Sequence, residues 1–276
     1  MSTTSIQGSA LARSLQRETS AEVLFDDFSR GLYSTDASIY QIMPLGVVVP
    51  KTEDDVRATL NIAYENGISV TMRGAGTSQC GQTVGEGIIV DVSKNLKSLV
   101  SVDPEKRQAT VQPGIVLDQL NALLKQHGLF FPVDVSTSSR ATIGGMTANN
   151  SCGARSIRYG KMVDNVREVD AVLADGSSMR FGKWDEGTAS AVPQRQQQMV
   201  SELIELGTRE SEEVAKRFPK VQRRVGGYNL DVLSAEPSSS LNLAQLLVGS
   251  EGTLAVSSQI TLSLQPIAEH KAVSYT

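Results

Sequence analysis

Three glycine-rich segments hold most of the residues able to do chemistry in this chain. The first is Arg73-Gly74-Ala75-Gly76-Thr77-Ser78-Gln79-Cys80-Gly81-Gln82, directly after the alternating apolar residues Ile68, Val70 and Met72. Glycine lets a backbone take positive φ and come close to a ligand, and successive N–H groups with the Thr77 and Ser78 hydroxyls can converge on phosphate oxygens. The functional reading is an anion nest, and the structural one is a glycine-rich connection. A dinucleotide fingerprint does not fit, because its third glycine position is Gln79 and no helix pattern follows.

The second segment, residues 132–165, strings together Asp134, a Ser/Thr run, Thr142-Ile143-Gly144-Gly145, Asn149-Asn150-Ser151-Cys152-Gly153 and Tyr159-Gly160-Lys161. So polar a stretch buries little apolar surface alone, so it is either mobile or organised around a bound group. Gly153 and Gly160-Lys161 do not make a P-loop: the glycines are too far apart, and Met162 stands where Ser or Thr would hold magnesium. The third segment, residues 246–256, reads as a strand broken by Gly249-Ser250-Glu251-Gly252-Thr253 and resumed, with a bulge or close backbone approach at the glycines.

These segments need elements to position them. Val47-Val48-Val49 ends at Pro50, and Thr52 stands at an N-cap with Glu53, Asp54 and Asp55 in the first turn. Val56, Leu60 and Ala63 then share a helical face that stops at Gly67. With strands over 68–72 and 88–92 this makes a parallel βαβ unit. Residues 99–102 and 109–111 form a hairpin around Asp103-Pro104-Glu105-Lys106. An amphipathic helix through Val116, Leu117, Leu120, Leu123 and Leu124 stops at Gly128. A second hairpin turns at Ala174-Asp175-Gly176 between 166–173 and 178–181. Residues 194–218 read as one charged helical stretch, and 235–242 as a Pro/Ser loop. The weak pattern Leu11, Leu15, Val23, Phe28 has no neighbouring partner, so residues 1–40 read as a lead-in arm. The fold class is α+β in two lobes.

The chain has 276 residues, 40% hydrophobic and 20% charged, and 26 Lys plus Arg against 30 Asp plus Glu give a net charge of −4. That suits a packed protein and excludes overall disorder. Scattered cations form no face for a phosphate backbone, so nucleic acid is not expected as a partner. No apolar run reaches the roughly 20 residues of a membrane helix. Two cysteines, Cys80 and Cys152, and two histidines, His127 and His270, are too few for a disulfide framework or a structural metal site. The expectation is a cytoplasmic protein, with peripheral contact to the inner membrane compatible with it.

In order and spacing the three segments resemble the FAD-binding domain of the vanillyl-alcohol oxidase and p-cresol methylhydroxylase (PCMH) flavoprotein family. More narrowly, the chain resembles the flavin domain of the FAD-linked D-2-hydroxyacid dehydrogenases, a group with D-lactate dehydrogenase, the glycolate oxidase flavin subunit and D-2-hydroxyglutarate dehydrogenase. Tyr33-Ser34-Thr35-Asp36-Ala37-Ser38 and Asn150-Ser151-Cys152-Gly153-Ala154-Arg155-Ser156 resemble the large members that add an iron–sulfur part. The likeness covers residues 33–266.

The resemblance implies a PCMH-type FAD-binding domain over residues 41–270. It has a small parallel βαβ lobe (about 41–100), a larger lobe with an antiparallel sheet and flanking helices (about 101–270), and FAD between them. Arg73, Gly74, Ala75, Gly76, Thr77 and Ser78 with Gln82 would hold the pyrophosphate. Thr142, Gly144, Gly145, Asn149, Ser151, Cys152 and Gly153 would line the diphosphate, ribityl and ring region, and Gly252 and Val256 the adenine end. Asp134 and Gly160 complete the implied cofactor-binding set. Thr77 stands where some members tether flavin through histidine, so FAD is expected to be non-covalent. FAD would take hydride from a 2-hydroxyacid and pass electrons to an acceptor other than NAD, which the sequence does not identify. The substrate-binding domain of the relatives, with its histidines, would begin after Pro266 and is expected to be absent, so no residue here is assigned a catalytic or metal-binding role. The alternative is a non-catalytic flavin-binding or electron-transfer subunit that needs a separate substrate subunit.

Overall fold

The computed structural model describes residues 3–233 and 241–270. The smaller lobe is built from α1 (Thr3–Glu18), β1 (Glu22–Leu24), α2 (Asp27–Leu32), β2 (Gly46–Val49), α3 (Glu53–Glu65), β3 (Val70–Arg73) and β4 (Ile88–Asp91). Its sheet runs β1-β2-β4-β3, with β2, β4 and β3 parallel and β1 antiparallel at the edge. All four residues of β2 and of β4 are buried, as the continuous Val/Ile runs require of strands covered on both faces.

The larger lobe contains β5 (Leu99–Asp103), β6 (Gln108–Val111), α4 (Leu117–Leu124), β7 (Leu129–Phe130), α5 (Ile143–Ala148), α6 (Ser156–Tyr159), α7 (Met162–Asn165), β8 (Val166–Val172) and β9 (Ser178–Phe181). After β10 (Lys183–Trp184) come α8 (Glu186–Ser190), α9 (Gln194–Arg209), α10 (Ser211–Arg217), β11 (Leu241–Asn242), α11 (Ala244–Leu247), β12 (Val256–Ser263) and β13 (Gln265–Pro266). An antiparallel sheet β5-β6-β12-β8-β9 forms its centre. Val172 and Val256 from this sheet are buried with Val56, Leu60 and Val90 of the other lobe, so the lobes share one apolar cluster.

The first forty residues differ from the expected arm. Leu11 and Leu15 are buried against α3 and β4, and Val23 pairs with Val48 at the sheet edge. Their partners lie more than twenty residues away, out of reach of any local periodicity. A polar clamp completes the join: Asp55, 4% exposed in the first turn of α3, accepts the amides of Ser20 (2.7 Å), Lys51 (2.8 Å) and Thr52 (3.0 Å).

Three further readings change. Residues 132–165 hold three short helices, with Thr142 as N-cap of α5. The charged stretch 194–218 is two helices that part at Glu210. Of the strand expected at 246–248, Leu246 and Leu247 are helical and Val248 caps the helix: Asn242 Oδ1 accepts the Ala244 amide ahead of α11, of whose four residues Ala244, Leu246 and Leu247 are buried, so no single-face period shows. Of the expected 235–242 loop, 235–240 lie outside the described residues, and Leu241–Asn242 pairs with Lys183–Trp184.

Burial alone would raise the Asp55 carboxyl, but the Ser20, Lys51 and Thr52 donors outweigh it and hold the group below its ordinary 3.8. A depressed carboxylate contributes stability above its unfolded pKa that is lost as pH falls through the folded value. Asp55→Asn should therefore cost about 1–3 kcal/mol at neutral pH in denaturant unfolding, with the gap to wild type narrowing below about pH 4. A gap of the same size at low pH would show that the carboxylate charge is not what clamps the first strand.

Candidate functional site

A cleft opens between the lobes, bounded by the loop after β3, the start of α5 and the turn between α11 and β12. The glycines explain how closely these pieces meet. A Cβ on Gly74 would collide with Thr142 Oγ1, and one on Gly144 would lie 2.6 Å from Pro113 Cβ. Only hydrogen at these two positions lets the β3 loop, the end of β6 and α5 converge.

The two walls differ in what their backbone can offer a ligand. At the start of α5, Ile143 N–H donates to Ile115 O (2.9 Å), Gly144 N–H to Pro113 O (2.7 Å) and Gly145 N–H to Thr142 Oγ1 (3.3 Å). These donors are already satisfied. In the β3 loop, by contrast, none of the backbone N–H groups from Ala75 to Gln82 donates to a protein atom among the described residues. The Ser78 hydroxyl donates to Gln82 Oε1, which ties the middle of this run to its end.

The loop keeps its shape through contacts behind it. Arg73 donates to the carbonyls of Thr35 (2.8 Å), Thr83 (3.2 Å) and Tyr33 (3.3 Å), and its guanidinium sits 5.3 Å from the Tyr33 ring centre. Ala37 N–H donates to Gly76 O (3.1 Å), and the Thr83 hydroxyl donates to Asp36 (3.0 Å). Burial acts to raise the Asp36 carboxyl, but hydrogen bonds from Ser38 and Thr83 hold it below its ordinary value. Arg73 thus organises the loop from behind, where the sequence reading gave it to a pyrophosphate.

On the opposite side, the Ser151 hydroxyl donates to Asn149 Oδ1 (2.6 Å), and both residues face the cleft. Fully buried Asn150 takes φ +51°, accepts Val163 N–H through Oδ1 and leaves its Nδ2 without a partner. The α11–β12 turn is laced onto α5 by Gly249 N–H to Thr147 O and Glu251 N–H to Ala148 O, both 2.9 Å. Met72, Val92, Leu247 and Val256 supply the apolar wall.

Of the residues singled out in the sequence, Arg73, Gly74, Ala75, Gly76, Thr77, Ser78, Gln82, Thr142, Gly144, Gly145, Asn149, Ser151, Gly252 and Val256 come together around this cleft. Asp134, Cys152, Gly153 and Gly160 are not among its lining residues. Gly153 is small because it abuts the Asp134 carbonyl, and Asp134 Oδ1 accepts Arg155 N–H at 3.0 Å. Gly160 has φ +78° at the junction where Asp164 caps α7. Pro113, Thr137 and Glu251 line the cleft without having been singled out. Glu251 had a signal, a charged residue inside a glycine turn, whereas Pro113 and Thr137 had none.

Fold and site together define a two-lobed domain that holds an extended cofactor between a βαβ lobe and an antiparallel-sheet lobe. Residues 44–182 match the family model described as FAD binding domain, and the chain belongs to that family. It is 36% identical over 255 residues to D-2-hydroxyglutarate dehydrogenase of Pseudomonas putida, covering 90% of this chain and 25% of that protein. It is 32% identical over 252 residues to glycolate oxidase subunit GlcD of Bacillus subtilis, covering 90% of this chain and 43% of that one. The chain thus spans about a quarter of the length of the dehydrogenase. A solved alkyldihydroxyacetonephosphate synthase superposes with TM-score 0.68 at 15% identity, over 95% of this chain and 41% of that chain, a likeness of fold.

FAD is the cofactor of this domain, and the residues present fit it. The unspent amides of Ala75 to Ser78 and of Gln82 suit diphosphate oxygens, and the apolar wall suits a flat ring system.

Gly74→Ala tests the close approach. The added methyl must push Thr142 and the β3 loop apart, so FAD affinity, read by quenching of flavin fluorescence, should fall at least about tenfold, one bidentate interaction's worth or more. Unchanged affinity would mean that the cleft does not depend on this contact.

Proposed function

We propose that residues 41–270 form the flavin-holding part of an FAD-dependent dehydrogenase of D-2-hydroxyacids, such as D-2-hydroxyglutarate or D-lactate, with electrons passing to an acceptor other than NAD. The observation that carries the reading is the set of unspent amides at Ala75 to Ser78 and Gln82, all lining a cleft that also has apolar residues from both lobes in its wall. The names of the similar proteins, D-2-hydroxyglutarate dehydrogenase and glycolate oxidase subunit, support the substrate class.

Bound FAD would supply the two-electron acceptor for oxidation of the hydroxyl-bearing carbon. The chain's own residues do the holding. Loop amides with the Thr77 hydroxyl bind the diphosphate, Asn149 and Ser151 offer side-chain hydrogen bonds along the α5 side, and Met72, Val92 and Val256 exclude water. With Thr77 in the loop, and no histidine among the lining residues, FAD is held without a covalent bond.

A second reading, an electron-transfer subunit that works beside a separate substrate-binding chain, has one observation in its favour. Among the described lining residues the titratable groups are Arg73, which stays protonated, and Glu251, which lies beside Gln82 of the loop assigned to the diphosphate. The proton acceptor must then come from outside the cleft.

Acid precipitation of the purified chain should release intact FAD to the supernatant, identified by chromatography. Flavin retained in the pellet would overturn non-covalent binding, and a protein that neither carries nor takes up FAD would overturn the site. With an artificial electron acceptor, the isolated chain should oxidise D-2-hydroxyglutarate or D-lactate at most slowly. Rapid turnover would show that a base has been missed.

A further inference from the structure

Glu251 is the one carboxylate among the described residues lining the cleft, and the reading above gives it no task. Its backbone is held in a conformation that disfavours any side chain: φ is +54°, its N–H is fixed to Ala148 O, and Gly249 and Gly252 on either side have positive φ. The turn therefore presents a carboxylate where glycine would sit with less strain. The side chain is exposed at the cleft and lies beside Gln82 of the opposite lobe. Gln82 is in turn bonded to Ser78, on the loop whose amides are unspent.

No cation offsets this charge. Neither a Lys, Arg nor His forms an ion pair with Glu251 among the described residues. Of the elements packed around the turn, α5 has no titratable side chain. The β3 loop offers Arg73, which is turned onto the carbonyls behind the loop, and the thiol of Cys80. The neighbouring 224–231 segment offers Arg224, ion-paired with Asp231, and Tyr228, whose hydroxyl meets Thr253. Partial desolvation by the surrounding protein pushes the Glu251 carboxyl up, and the Gln82 amide is the only group opposing that.

We propose that Glu251 is a charge gate on cofactor loading: its ionised carboxylate, lining the same cleft as Gln82 and the unspent amides of the β3 loop, opposes entry of the dianionic diphosphate, so FAD binds more tightly once Glu251 is neutral. This rests on the β3 loop taking the FAD diphosphate. Loading then becomes proton-linked. FAD affinity falls as pH rises through the Glu251 titration, because the ionised form repels the ligand and the protonated form does not. The dependence is built into a turn that a glycine would have served at lower conformational cost.

The test is FAD titration of the full chain, wild type against Glu251→Gln and Glu251→Lys, by flavin fluorescence at pH 5 and pH 8 and at low and high salt. At pH 8 and low salt E251Q should bind about fivefold tighter than wild type and E251K tighter still, the size of a screened like-charge contact at a protein surface. The advantage should shrink at pH 5 and at high salt. Equal or weaker binding by both variants, with apo melting midpoints matching wild type, overturns the gate and makes Glu251 neutral or a ligand. A wild-type chain that binds no FAD at either pH overturns the cleft assignment, and the gate with it.

Discussion

The contact of Gly74 with Thr142 is the point on which the cleft depends. The Thr142 hydroxyl does two things at once: it caps the Gly145 amide at the start of α5 and fills the space left by the missing side chain of Gly74. One wall of the cleft is thereby rigid and electrically satisfied, because Ile115 and Pro113 accept the next α5 amides. The other wall, the β3 loop, keeps its donors free. In the proposed reading an anion arriving between the two would find free backbone donors in the smaller lobe, while the larger lobe sets the shape. The shared apolar cluster that includes Val172 and Val256 fixes the distance between them.

A loop with unspent amides has no internal hydrogen bonds to hold it, so its conformation must be set from outside. The Tyr33 to Ser38 segment does this. Its carbonyls absorb the Arg73 guanidinium, Ala37 grips Gly76, and Asp36 takes the Thr83 hydroxyl. Tyr33 is anchored in turn by its hydroxyl, which donates to Asp91 at 2.7 Å at the end of β4. Burial, and then that same carboxylate, push the Tyr33 phenol well above its ordinary value, so it stays a donor at all ordinary pH. The segment that the sequence suggested as an entry to the domain is thus the back plate of the cofactor loop.

What could be read in advance was what is local. Gly67, Gly128 and Gly176 all have positive φ where a helix stop or tight turn was expected, and Thr52 caps α3, because such conformations are decided within a few residues. Both hairpins and the parallel unit followed from strand periodicity with its turn residues. What escaped was set by distant partners. Leu11 and Leu15 had no visible mate because α3 lies some forty residues on, and α5 looked unhelical because Ile143-Gly144-Gly145 is poor helix material that only Thr142, Pro113 and Ile115 hold in place. Gly153 and Gly160 shared a motif with the cleft residues but serve turns outside its lining, a distinction that depends on which way the backbone faces and leaves no trace in residue type.

The cleft separates two tasks that oxidation of a hydroxyl needs together. Moving a hydride requires an acceptor held rigidly and kept dry; removing the hydroxyl proton requires a group whose pKa lies near the working pH. The first task suits this architecture, since amides, hydroxyls and apolar side chains hold a cofactor without titrating. The second is poorly served by it. Arg73 is spent on backbone carbonyls, and Glu251 lines the cleft beside Gln82 of the β3 loop, where a proton acceptor would contend with the charge of a cofactor held there. A domain built to bind a dianion has reason to exclude other ionisable groups from its interior, and a base placed on a different element can be tuned for its substrate without disturbing the electrostatics that hold the flavin.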